Sequence, residues 1–424
     1  MNETIHFRRN GQSLSVFKHK VEFAGNAFLP QRAYVPISVD NLKAYPVVSF
    51  GQYVEEGQLL ARAQNQHATD IHSPIPGIIG DVHSLQTDYG SQLDCLTISL
   101  EGRFNMLGKR QPNYGWQNST AYELLRIIED KGLIYTEKPF ISLGAKLRSA
   151  IKTDVSVLQF ALFDFDISCG LEEVLLSHFL LEIIEGLSII VKILEVKTIQ
   201  IFYTRLSAQI KEQISSHLMV NSEVVFIKSK NTYPFYDSRQ ICLDKDGNSK
   251  AFILPPSTAL YVYEAIVRDR PFVSSYILFS GRGVKEPKLL KAAFGTSIGS
   301  LIEECGGIVV HPASFVINGL ISGYSTSDFD IPTSKTIKSV SVISTAHLPR
   351  FQIHPCSSCG KCINTCPMHL NPQLLLRKIQ TNNLDANALF QLSMCTKCNI
   401  CSACCECRIP IADIISQAKK RGGK

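Results

Sequence analysis

Cys356-Ser-Ser-Cys359-Gly-Lys-Cys362-Ile-Asn-Thr-Cys366-Pro367 is answered 39 residues later by Cys395-Thr-Lys-Cys398-Asn-Ile-Cys401-Ser-Ala-Cys404-Cys405. Both stretches space cysteine as C-x2-C-x2-C-x3-C. Three thiolates two residues apart wrap one face of a cuboidal iron-sulfur cluster, and the fourth, set further along, reaches across to a second cluster. The spacing therefore assigns Cys356, Cys359, Cys362 and Cys405 to one [4Fe-4S] cluster, and Cys395, Cys398, Cys401 and Cys366 to the other. The second copy departs from the first. Glu406 stands where Pro367 stands, and Cys404 and Cys407 lie beside Cys405, so the crossing ligand is one of these three, with Cys405 favoured by register. Structural zinc is the competing reading, but zinc knuckles usually set their C-x2-C pairs further apart. Thiolate-ligated cubanes carry single electrons and make no bonds themselves.

Working outward, ten of the 14 cysteines fall between Cys356 and Cys407, leaving only Cys95, Cys169, Cys242 and Cys305 elsewhere. A disulfide framework needs an oxidising compartment, and the polar stretch Met1–Asn10 lacks the apolar run of a secretory signal. The thiols are expected to be metal ligands of a cytoplasmic protein. Between the motifs, Leu374, Leu375, Leu376, Ile379 and Leu384, then Ala388, Leu389 and Leu392, predict two short helices. After Cys407, Ile409, Ile411, Ile414 and Ile415 predict a third, ending near Arg421 and Gly422. Residues 350–424 thus resemble a bacterial-type two-cluster ferredoxin module.

The other 350 or so residues are ordinary in composition. A chain of 424 residues with 45% hydrophobic and 19% charged residues and mean hydropathy +0.06 is folded and holds about two to four domains. The formal charge of +6 comes with no basic stripe interleaved with aromatics, which excludes a dedicated nucleic-acid binder. No stretch reads as a membrane-spanning helix. The uncharged run Cys305–Ser327 contains His311, Pro312 and Asn318, and the apolar run Leu175–Leu194 contains His178, Glu182, Glu185 and Lys192. Membrane association is expected through partners, with a weak contribution from the basic tail Lys419, Lys420, Arg421 and Lys424.

The fold class expected is multidomain, α/β plus β. Residues 1–110 read as short strands punctuated by Gly and Pro, similar to a biotinyl/lipoyl-type barrel-sandwich. No lysine occupies the connection Ala63–Asp70, which argues against a carrier role, and His67 and His72 are expected to be solvated surface residues. Residues 115–245 alternate helical and strand-like segments, among them a long helical run Leu171–Leu194, and predict a Rossmann-like α/β domain with a largely parallel sheet. Residues 246–340 predict a β-grasp (SLBB-like) domain with a helix at Ile298–Glu304, capped by Thr296 or Ser297 and stopped by Gly306; Cys305 is a packing residue.

In order, these parts resemble the C subunit of the Rnf ion-translocating oxidoreductase complex. The matching stretches are Gly57-Gln-Leu-Leu-Ala, Ile71-His-Ser-Pro-Ile-Pro-Gly, Glu182-Ile-Ile-Glu-Gly, Val284-Lys-Glu-Pro-Lys, Leu301-Ile-Glu-Glu-Cys-Gly-Gly and the doubled cysteine motif. The resemblance implies a peripheral protein on the cytoplasmic face of the cell membrane. It would exchange electrons with NADH or ferredoxin and pass them through two [4Fe-4S] clusters to membrane and cytoplasmic partner subunits. It also implies an α/β domain like the flavin subunit of respiratory complex I, with a loop of type G-x-G-G-A-G-F-P-T against the phosphates of FMN and nucleotide.

Here that loop reads Ile134-Tyr-Thr-Glu-Lys-Pro-Phe-Ile-Ser-Leu-Gly144, so Tyr135, Glu137, Lys138 and Phe140 take glycine positions. Side chains there fill the space that the backbone leaves for a phosphate. FMN and NADH binding is accordingly expected to be weakened or lost. Lys146, Asp164 and Asp166, with Arg148, are the residues that the resemblance leaves as remnants of the flavin and nucleotide pocket. Two other readings remain at this point: a soluble flavin and iron-sulfur reductase of the cobalamin-reductase type, and a scaffold held by structural zinc.

Overall fold

The computed structural model describes residues 3–9, 12–18, 21–39, 42–87, 90, 92–102, 115–219, 221–229, 233, 251–309, 313–344 and 352–422. Cys242 lies outside them. After a hairpin of Glu3–Arg9 and Gln12–Lys18, two four-stranded antiparallel sheets form the barrel-sandwich. One runs Arg32–Pro36, Gln92–Leu100, Gly77–Gln86, Tyr53–Val54; the other runs Ser38–Val39, Leu42–Pro46, Leu59–Ala63, Ile71–His72. Val35, Val54, Leu60, Ile79 and Ile98 close its core. Gly77 permits the closest strand approach, since a Cβ there would lie 2.1 Å from the Ser99 carbonyl oxygen.

A parallel four-stranded sheet follows, ordered Glu223–Lys228, Thr198–Tyr203, Val157–Ala161, Ala251–Leu254. Its fourth strand comes from beyond residue 245, so the α/β unit extends past the boundary expected from sequence. The reason is pairing: Val157–Phe160 offers its free edge in register to Ala251–Leu254. Helices Ala121–Asp130, Leu143–Lys152, Leu180–Leu194 and Pro256–Ile266 pack around this sheet. Thr120 and Glu123 close a reciprocal capping box at the first of them. Gly186 lets Leu180–Leu194 cross Pro256–Ile266 almost backbone to backbone, a Cβ there falling 1.9 Å from Ala259 O.

The expected single helix Leu171–Leu194 is instead two, Leu171–His178 and Leu180–Leu194, bent by 104°. Phe179 leaves the helical conformation to pack edge-on against Phe23 and tilted against Tyr276, with ring centroids 5.1 and 5.0 Å away. Among the described residues no single helix is long and apolar enough to cross a membrane; only this bent pair reaches the length and apolarity together, and Ile183, Leu187 and Ile190 of its second helix are core.

A mixed six-stranded sheet is ordered Tyr324–Thr326, Ala313–Ile317, Ser339–Ser344, Ser274–Ser280, Lys288–Ala293, Glu22–Asn26. The edge strand Glu22–Asn26 comes from the N-terminal region, which therefore does not belong wholly to the barrel-sandwich. Helix Ile298–Glu304 lies on this sheet, its N-terminus capped by Ser297, and Cys305 is fully buried in the sheet's core. The chain ends in short helices, Lys361–Thr365, Pro372–Gln380, Ala386–Met394, Ile400–Ala403 and Ile411–Gly422, around Leu375, Leu376, Leu392, Ile411 and Ile415.

Lys335 ties three of these units together. Its ammonium donates to the carbonyls of Asp70 and Gly132, each at 2.7 Å. Burial pushes it down to about 7, with Asp70 opposing. His72, expected at the surface, is buried beside it and is pushed down to about 3 by burial and then by Lys335 and Lys131. The unfolded chain holds the Lys335 proton up to the ordinary lysine value, whereas the folded chain releases it near 7. Stability should therefore rise with pH across the interval from about 7 to about 10. Urea denaturation at about pH 6.5 and about pH 9 checks this, with greater stability expected at the higher pH and a flatter profile in Lys335→Met.

Candidate metal centre

The two cysteine loops adopt the same backbone. In the first, Ser358 and Gly360 take left-handed conformations at φ 56° and 74°; in the second, Lys397 and Asn399 do so at 56° and 61°. These are matching positions, one before and one after the middle cysteine of each triplet. The correspondence continues into the helices. Asn364 N donates to Gly360 O as Ala403 N donates to Asn399 O, and Cys366 N donates to Ile363 O as Cys405 N donates to Ser402 O. Three residues later His369 and Arg408 are again left-handed, at φ 53° and 57°, donating to the carbonyls of Cys366 and Cys405. By backbone register Cys405 is thus the counterpart of Cys366, and Cys404 is the counterpart of Thr365.

Through their charges the thiols sort into two sets. Burial, a first cause, pushes Cys398 up to about 11, and Cys366 and Cys395 add to it. Cys401 is raised by burial and then by Cys398, Cys395 and Cys366. The sequence-predicted crossing residue Cys366 therefore lies with the second triplet. Cys362 is pushed up to about 11 by burial and then by Cys404, Cys356 and Cys359. Cys404 is buried, 3.3 Å from the Thr365 hydroxyl, so the two counterparts meet between the loops. Cys405 lies against Cys404, and Cys407 reaches the Ser357 hydroxyl at 3.5 Å. Thiols that raise one another in this way are a donor set that a cationic iron-sulfide core would hold deprotonated. None of the described cysteines is in a disulfide, and among the described residues no three His, Cys, Asp or Glu side chains converge on a single-ion site.

The groups differ in surroundings. Residues 352–359, with Cys356 and Cys359, are exposed throughout. The second loop is docked on the rest of the chain: the Tyr233 hydroxyl donates to Cys398 O at 2.6 Å, the Asn399 side chain donates to Ile321 O at 3.0 Å, and Ile400 packs with Phe163, Phe165 and Phe202.

Three of the residues expected as pocket remnants, Asp166, Asp164 and Lys146, are engaged inside the protein, and Arg148 at its surface. Asp166 accepts from the Ser168 hydroxyl at 2.5 Å and from Ser322 N and Oγ at 2.7 and 2.9 Å, which fastens the loop that Asn399 grips. Asp164 accepts from Glu172 N at 3.0 Å, at the start of Leu171–His178, and lies 3.9 Å from Lys338. Lys146 sits 3.5 Å over the Tyr135 ring, and burial pushes it down to about 8. Arg148 makes a two-pronged pair with Glu129 at the surface, both contacts 2.7 Å.

Sequence reasoning missed the residue that organises this region, Lys338. Its ammonium pairs with Glu137 and, at 2.9 Å, with Glu172. Burial opposes its charge, yet the carboxylates of Glu137, Glu172 and Asp164 outweigh it and hold it well above the usual lysine range. Glu172 in turn accepts from Ser257 N at 2.7 Å and Ser257 Oγ at 2.6 Å, at the N-terminus of Pro256–Ile266. Thr136 completes the cluster with Ser257 and Thr258, at 2.9 and 2.7 Å. Tyr135 and Phe140 are buried.

The RnfC barrel sandwich hybrid domain matches residues 18–103. The C subunit of the proton-translocating ferredoxin:NAD(+) oxidoreductase complex of Clostridium ljungdahlii is 22% identical over 82% of this chain and 78% of its own length. The corresponding C subunits of ion-translocating oxidoreductase complexes from Rhodobacter capsulatus and Methanosarcina acetivorans are 22% and 23% identical, over 90% and 81% of this chain and 76% and 81% of their own. In fold, a chain of an NAD+-reducing [NiFe]-hydrogenase aligns with TM-score 0.50 at 15% identity, over 73% of this chain and 64% of that one. Over most of its length the chain is similar to the C subunits of Rnf-type ion-translocating oxidoreductase complexes, and the barrel sandwich domain model of that family matches residues 18–103.

Proposed function

We propose that this chain is an electron-transfer subunit of a membrane-bound Rnf-type oxidoreductase, relaying single electrons through two [4Fe-4S] clusters between a soluble donor or acceptor, NADH or ferredoxin, and other subunits. The observation that carries this is the doubled cysteine loop with one backbone conformation in both copies. Cys356, Cys359, Cys362 and Cys405 would hold the first cluster; Cys395, Cys398, Cys401 and Cys366 the second. When bound, each cluster supplies one-electron storage; the chain's own residues hold it and, around the second, exclude water and orient peptide dipoles. The architecture that goes with this reading is a barrel-sandwich, a flavin-subunit-like α/β unit, a β-grasp domain formed by the mixed sheet, and a ferredoxin-like C-terminal domain. The protein would sit peripherally on the cytoplasmic face and translocate no ion itself.

The α/β unit does not fit FMN. Glu137 and Glu172 occupy the region that the loop and the N-terminus of Pro256–Ile266 enclose, Lys338 neutralises them, and Tyr135 and Phe140 fill the core beneath. Two carboxylates there would repel a phosphate, so no step is assigned to a flavin. The same filled region counts against the cobalamin-reductase reading. Iron, acid-labile sulfide, zinc and flavin measured on anaerobically reconstituted full-length protein test the whole reading. About eight iron atoms per chain and no stoichiometric FMN are expected; a full flavin complement overturns the flavin-free assignment, and zinc in place of iron overturns electron transfer.

A further inference from the structure

The two cysteine loops share a backbone but not a setting. Lys and Arg outnumber Asp and Glu by nine to three between residues 352 and 424, so the chain's entire formal excess of +6 falls in the segment that carries the cysteine loops. One of these cations is placed with particular economy. Lys419, on the helix Ile411–Gly422, donates to Ser393 O at 2.8 Å and to Cys395 O at 3.1 Å. Those carbonyls terminate the helix Ala386–Met394, whose negative end therefore points at the second cysteine loop and is covered by the ammonium. On the other side the Tyr233 hydroxyl holds Cys398 O. In a trans peptide the N–H points opposite to the C=O, so this bond turns the Asn399 N–H away from Tyr233 and back into its own loop. The matching carbonyls of the first loop belong to a stretch exposed along its whole length.

We propose that Lys419 and Tyr233 are positioning residues that raise the reduction potential of the cluster held by Cys395, Cys398, Cys401 and Cys366, and leave its partner cluster to be set by solvent. The inference rests on the cluster assignment above. The reduced cluster carries one more negative charge than the oxidised one while its thiolates are unchanged. A fixed cation and inward-directed N–H dipoles therefore stabilise the reduced form more than the oxidised. Lys419 acts by charge, Tyr233 by orienting a peptide, so removing Lys419 has the larger effect.

The test is a redox titration of the reconstituted full-length chain followed by electron paramagnetic resonance, with the second cluster's signal identified as the one that Cys398→Ser loses. Lys419→Met should move that signal's midpoint to more negative potential, lowering its reduced-to-oxidised ratio at the wild-type midpoint by about tenfold, the effect of one charge at close range. Lys419→Arg should restore it, Tyr233→Phe should move the same signal in the same direction by less, and the other cluster's midpoint should hold. A Lys419→Met protein with full iron content and both midpoints unchanged, or with both moved equally, overturns the inference; so does a shift that arginine fails to rescue. Wild-type protein with zinc and no resonance signal overturns the cluster assignment instead, and this inference falls with it.

Discussion

Cys405→Ser is expected to lower iron from about eight to about four atoms per chain, because a cluster deprived of one of four thiolates is not retained, whereas Cys404→Ser leaves the content unchanged. The two residues are neighbours in sequence, and Cys404 lies near the first triplet, so the distinction is not trivial. Cys404 touches Thr365 at 3.3 Å and adds to the electrostatic environment of Cys362. The backbone decides between them. Cys405 repeats the hydrogen bonds and the left-handed residue three positions on that define Cys366, while Cys404 repeats Thr365. Iron and sulfide analysis with spin quantitation reads the result directly. Iron halved by Cys404→Ser and untouched by Cys405→Ser would exchange their roles.

Lys338→Met should destabilise the folded chain by about 3–5 kcal/mol, the usual penalty for leaving buried charge without its partner. The ammonium serves Glu137, Glu172 and Asp164 at once, and Glu172 is fully buried. Burial already pushes Glu137 up, and without the lysine it would take up a proton more readily still. Urea denaturation at pH 7 measures the loss. Adding Glu172→Gln to Lys338→Met should recover part of it, because the second substitution removes a stranded carboxylate; strict additivity of the two losses would sink the account. Cluster content should survive in both variants, since none of these residues touches the cysteine loops.

The repeat of the two cysteine loops was legible because it is local. Cysteines two residues apart need only a short turn, and Cys366 and Cys405 stand at one offset in the two matching backbones. The helices Pro372–Gln380, Ala386–Met394 and Ile411–Gly422 were likewise evident from apolar spacing over one segment. The loss of glycine from Ile134–Gly144 could be seen as side chains where a phosphate would need space, but not as what replaced it.

Where several segments meet, local pattern failed. Leu171–Leu194 reads as one apolar helix until Phe23 and Tyr276 arrive from distant strands to turn Phe179 aside. Ala251–Leu254 pairs with a sheet edge that begins 94 residues earlier at Val157, and Glu22–Asn26 joins a strand that begins at Lys288. His72 and Lys335 are buried only because three units close over them.

Amino-acid order alone determined where the two cysteine loops lie and that one repeats the other, since that depends on offsets of a few residues along one stretch of chain. Tertiary structure alone decided what surrounds them. Lys338 meets Glu137 and Glu172 from 201 and 166 residues away, and Tyr233 reaches Cys398 across 165. Charge compensation and solvent exclusion act through space between side chains that sequence separation does not relate, and they exist only once the chain has closed.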